Sequence, residues 1–135
     1  MLFRSTNGTF TADAYALVAV NGANVTVENG TFNADYAIVS NGSTTVVNVT
    51  GGDYSGDVFS QNPDDTNISG GTFDSDGSGA FIMGTSSGSW GTANISGGSF
   101  SVTGQAGISV YEYGELTVSG NTVVSGAAAG LVIES

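Results

Sequence analysis

The chain has 135 residues, the size of one ordinary domain, with 22 Gly, one Pro, no Cys and no His. Its formal net charge is −11 and Arg4 is its only basic residue. This balance argues against nucleic acid and anionic membranes as partners, since both are gripped by clustered Lys and Arg. The missing Cys and His remove disulfides, thiolate and ordinary zinc sites, and Ser-His or Cys-His catalysis. No run of 18 apolar residues is present, so no helical membrane insertion is expected.

Residues 1–5, Met-Leu-Phe-Arg-Ser, fit no unit of the repeat that begins at Asn7. Leu-Phe-Arg-Ser is also what the end of a common sequencing adapter encodes when translated. Residues 1–5 are therefore expected to be a non-native leader, and residues 6–135 a repeat domain carried by a metagenomic fragment of a longer protein.

From Asn7-Gly8-Thr9-Phe10 onward one unit recurs. Its clearest copies are Ile68-Ser69-Gly70-Gly71-Thr72-Phe73 and Ile95-Ser96-Gly97-Gly98-Ser99-Phe100, with looser copies ending at Phe32, Tyr54 and Val123. The aromatic anchors Phe10, Phe32, Tyr54, Phe73 and Phe100, followed by Val123, step by 22, 22, 19, 27 and 23 residues. Each from Phe32 on is preceded, five residues earlier, by a β-branched residue: Val27, Val49, Ile68, Ile95 or Val118. Residues on one face of a strand are separated by even numbers, so an odd gap requires a bend, which the intervening Gly-Gly or Asn-Gly supplies.

Every copy holds three short apolar pieces. An alternating strand such as Val25-Thr26-Val27 is followed by the Thr-Phe piece, then by a third such as Ala16-Leu17-Val18, Ala37-Ile38-Val39 or Ala80-Phe81-Ile82. Gly, Asn, Ser and Asp clusters punctuate them as turns, and no 3.6-residue apolar period supports a helix. Three strands per turn of about 22 residues, repeated, predict an all-β fold: a single-stranded parallel β-helix (β-solenoid) of about six partial coils. At about 4.8 Å per rung the rod is roughly 25–30 Å long. Right-handed winding follows the crossover rule. The competing architecture is a β-sandwich, which needs antiparallel hairpins rather than this phase.

Two coils deviate. The third contains Gln61-Asn62-Pro63-Asp64-Asp65 and is short; the fourth is lengthened by a Gly/Ser-rich bulge from Met83 to Gly91 that includes Trp90. The chain closes just after the apolar Leu131-Val132-Ile133, so further coils of a parent chain are expected at both ends.

The repeated Ile/Val-x-Gly-Gly-Thr-Phe followed by Ala-Ile-Val resembles repeats in large surface proteins of gut-type bacteria. Those proteins are right-handed parallel β-helices, similar in shape to pectate lyases. The resemblance covers nearly all of residues 6–135. It implies an extracellular or cell-surface location and a structural or adhesive role toward a glycan or a host or cell-surface ligand. The β-helical lyases of this shape take a proton with a basic residue. A chain of charge −11 with only Arg4 offers no such base and repels uronate polyanions. No enzymatic activity is therefore expected. The alternative is a fragment of a polysaccharide-degrading β-helical enzyme other than a lyase, with Glu112, Glu115, Asp64 and Asp65 as its carboxylates.

The candidate glycan contacts are Trp90, Tyr111, Glu112, Tyr113 and Glu115: the aromatics to stack on a sugar ring and the carboxylates to accept from its hydroxyls. Set against this, the segment from Tyr111 to Glu115 reads as an ordinary strand-to-turn edge. Asn48, Asn67 and Asn94 fall in one column, where stacked amides can bond along the rod. The same column carries Thr26 and Thr117, a mixture that spoils the uniform Thr array needed for ice binding, a remote third reading.

Three residues past the anchors stand Asp13, Asp35, Asp57 and Asp76. Counted this way they form a column of carboxylates, about 4.8 Å apart and mutually repelling. Turn residues bonding their own backbone and splaying into water would relieve the repulsion. So would Ca²⁺, the one cofactor the pattern raises, although none is required.

Overall fold

The computed structural model describes residues 1–42, 44–61, 65–84, 91–111 and 114–134, with the backbone alone at 59–61. The first coil comprises β1 (Leu2–Ser5), β2 (Thr9–Thr11) and β3 (Tyr15–Val20). The second has β4 (Asn24–Val27) and β5 (Thr31–Asn41); the third, β6 (Val46–Val49) and β7 (Asp53–Gln61). β8 (Asp65–Ile68), β9 (Thr72–Ser75) and β10 (Gly79–Met83) make the fourth. β11 (Gly91–Val102) and β12 (Ala106–Val110) make the fifth, and β13 (Gly114–Gly126) and β14 (Ala129–Ile133) the last. No helix forms among the described residues, and every ladder between strands is parallel. The chain is a parallel β-solenoid of about five turns of roughly 22 residues.

Three faces run along it. On the first, β1, β4, β6, β8 and the opening halves of β11 and β13 stack in register. Alternation sets which side chains enter. Val27, Val49, Ile68 and Ile95 are buried in one inner row, while Thr26, Asn48, Asn67, Asn94 and Thr117 form the row between, facing out. Asn67 Nδ2 donates to Asn48 Oδ1 at 3.0 Å, and Asn94 Nδ2 to Asn67 Oδ1 at 3.2 Å. The Asn column is therefore an amide ladder.

At the corner to the second face the Gly-Gly pair is required twice over. Gly71 has φ +111° and Gly98 φ +102°, a region that L side chains avoid. A Cβ on the preceding Gly70 would stand 2.5 Å from the Thr50 carbonyl oxygen of the coil below. Beyond the corner the aromatic anchors stack as rings: Phe10–Phe32 at 4.7 Å between centroids, Phe32–Tyr54 at 5.1 Å, Tyr54–Phe73 and Phe73–Phe100 at 4.5 Å, all within 11° of coplanar. Tyr54 is 1% exposed; its hydroxyl donates to the Gly51 carbonyl at 2.8 Å, and burial pushes its pKa up.

The structure alters one sequence expectation. The residue above Phe100 is Val124, not Val123, which is 61% exposed. One extra residue enters β13 between the Ile95–Val118 and Gly97–Asn121 pairs, where Gly120 turns with φ +62°. Residues 2–5, which do not follow the repeat, pair as the first face of the first coil: Phe3 lies beneath Val25, and Ser5, 4% exposed, beneath Val27.

Candidate functional site

The third coil is the short one, and its ladders locate the missing residues. Phe32 pairs with Tyr54 and Ile38 with Val58, so the corner from second to third face takes six residues in the second coil and four in the third. In the fourth coil the same corner, Phe73 to Phe81, takes eight. Two of the three residues lost relative to the second coil leave here, rather than in the proline loop. The tight corner turns at Gly56, where φ is +119° and a Cβ would meet the Ala34 carbonyl oxygen at 1.9 Å. A recess remains between longer neighbours: an open groove of about 410 Å³ lined by residues 33–35, 55–56, 74–76 and 103.

The shortening also moves Asp57. It pairs with Tyr36, not Asp35, and is 6% exposed. Ser75 Oγ donates to Asp57 Oδ1, Ser78 N to Oδ2 at 3.1 Å and Gly79 N to Oδ1 at 3.5 Å. Ser75 Oγ in turn accepts from Gly77 N at 2.9 Å. Asp57 therefore holds the turn of the next coil from within. The four-carboxylate column counted from the aromatic anchors does not form: Asp13, Asp35 and Asp76 are exposed and Asp57 is turned inward. Among the described residues no three carboxylates gather as a metal-binding group. Asp35 and Asp76 do share the groove, joined by Asp74.

Of the glycan contacts expected from the sequence, Trp90, Glu112 and Tyr113 lie outside the described residues, as does Asp64. Tyr111 is 38% exposed, with its N–H bonded to the Met83 carbonyl at 2.9 Å, and Glu115 is exposed at the start of the last first-face strand. Asp65 opens β8, exposed, on the first face and away from the groove. An aromatic pair that the sequence did not single out stands elsewhere: Tyr15 and Tyr36 stack at 5.5 Å and 23°, with Tyr15 53% exposed. Tyr36 follows the groove residue Asp35 directly in the chain. The recurrence of Tyr near the start of the third piece in two successive coils is its only signal.

The geometry thus defines a parallel β-solenoid with a polar, carboxylate-bearing groove at one corner. No protein-family model, curated protein or solved structure matches the chain.

Proposed function

We propose that this chain is a structural or adhesive segment of a secreted or surface-attached bacterial protein, of the cell-surface β-helix type, making weak contacts with glycans and carrying out no reaction. The observation that carries this reading is the continuity of the stack. One aromatic column and one amide ladder run through successive coils, so the residues that recur in phase serve the rod. The reading includes further coils at both ends.

A second reading, a glycoside-hydrolysing segment, draws on Asp35, Asp74 and Asp76 lining one groove, since paired carboxylates are what such chemistry uses. Incubation of the folded chain with a panel of neutral polysaccharides, followed by a reducing-sugar assay, separates the two. The rod reading expects no release above a heat-denatured control. Turnover that is lost in Asp74→Asn, Asp76→Asn or Glu112→Gln would replace it with the hydrolase.

A further inference from the structure

The sequence holds four Asn-Gly steps, at Asn7, Asn21, Asn29 and Asn41, which the letters alone do not rank. We propose that Asn7 and Asn29 are self-modification sites, where the side chain loses ammonia to the main-chain nitrogen of the following glycine, and that Asn21 is held out of this reaction.

The chemistry demands one direction. In the cyclic imide that forms, the carboxamide carbon takes the place of the proton on the glycine nitrogen, so that N–H must point at the side chain of its own asparagine. Gly8 N donates to Asn7 Oδ1 at 2.9 Å, and Gly30 N to Asn29 Oδ1 at 2.9 Å. Each carboxamide carbon lies one bond beyond that oxygen, and both asparagines are exposed to the water the reaction uses. Reacting groups already brought together need no further ordering. At Asn21 the N–H of Gly22 donates instead to Oγ1 of the buried Thr45 at 3.3 Å, and is committed away from its own asparagine. Asn29 has a further aid in Ser5, whose Oγ donates to the Asn29 main-chain carbonyl at 3.3 Å. That bond draws electron density from the amide and stabilises the Gly30 nitrogen as its proton leaves.

The step balances with water alone. The glycine nitrogen gives its proton to hydroxide and bonds to the carboxamide carbon; the carboxamide C–N bond breaks, and ammonia leaves with a proton returned by water. A second water opens the imide to an aspartyl or isoaspartyl residue. The ladders place Asn7 and Asn29 at the corner position that Gly51, Gly70 and Gly97 hold in later coils. There a Cβ would stand 2.5–2.6 Å from a carbonyl oxygen of the coil below, so among these coils the reactive amides belong to the first two. Each event adds a negative charge to a chain already at −11. An isoaspartyl product also lengthens the main chain just before Gly30, whose carbonyl accepts from Asp53 N at 2.8 Å, and so loosens this end of the stack.

The test is incubation of the full chain at mildly alkaline pH, folded in buffer and unfolded in guanidinium, with conversion at each asparagine followed by peptide mass spectrometry. In the folded chain Asn7 and Asn29 should convert at least about tenfold faster than Asn21, and in guanidinium the three should converge. Ser5→Ala should slow Asn29 and leave Asn7, the reference within the same molecule, unchanged; Ser5→Thr should restore it. Asn21 keeping pace with Asn7 and Asn29 in the folded chain, or conversion of Asn7 and Asn29 only in guanidinium, would overturn the proposal. An Asn29 rate that Ser5→Ala does not move would overturn the part given to Ser5.

Discussion

At the scale of single residues, two buried polar groups mark where the repeat departs from itself. Tyr54 replaces Phe in the aromatic column and meets the cost of its hydroxyl with the Gly51 carbonyl. Its folded-state pKa is raised above the ordinary value near 10, so the neutral form is the one that the fold stabilises. That contribution is complete below about pH 10 and is lost as pH rises further. Thermal melts from pH 8 to 11 should therefore show a steeper fall for the parent than for Tyr54→Phe, which should cost only about 0.5–1.5 kcal/mol at neutral pH for the lost bond; parallel profiles would deny the phenol its buried place. Asp57 accepts from Ser75, Ser78 and Gly79 of the next coil. Asp57→Ala leaves those donors in a buried corner without their acceptor, at about 1–3 kcal/mol each for any that water cannot reach. Chemical denaturation should register a loss of at least that size, whereas Asp35→Ala, exposed in the preceding coil, should lie within about 0.5 kcal/mol of the parent.

The strands show how far the sequence alone can be read. Alternation in Val25-Thr26-Val27 and the five-residue gap to the anchor fix both inner rows and the Gly corner, because each inward side chain repeats chemically from coil to coil. Two kinds of feature escape. The bulge at Gly120 shifts the last coil by one residue, and Val123 and Val124 are chemically alike, so nothing in the letters chooses between them. The shortened third corner breaks a count made from Tyr54. Measured from Val58 instead, Asp57 falls just ahead of the third-face row, as the buried Ala37 does ahead of Ile38 in the coil below, although the bulge there pairs Asp57 with Tyr36. The groove escapes for the same reason: a two-residue deletion at a corner leaves no motif, only a recess between neighbours. The anchors themselves support a firm expectation. Phe73→Ala removes a ring stacked on both sides and should lower stability by about 3–5 kcal/mol in a denaturant titration. A loss below about 1 kcal/mol would place the core elsewhere.

The whole molecule is a short rod with charge −11 and, among the described residues, one ion pair, Arg4–Glu28. Its acids repel one another, and added salt should raise its melting temperature by screening. With Asp57 committed to the interior, Ca²⁺ and Mg²⁺ at equal ionic strength should raise it equally. A gain specific to Ca²⁺ and lost in Asp35→Asn or Asp76→Asn would restore a metal site at the groove. The groove and the rod both depend on parallel coils stacked in one register through the short third corner. Ring-to-ring nuclear Overhauser contacts test that most directly. The stack predicts Phe32–Tyr54, Tyr54–Phe73 and Phe73–Phe100 contacts, from centroids 5.1, 4.5 and 4.5 Å apart, and none between Phe32 and Phe100. Close Hα–Hα contacts between neighbouring strands, the mark of antiparallel pairing, together with a missing Tyr54–Phe73 contact, would contradict it.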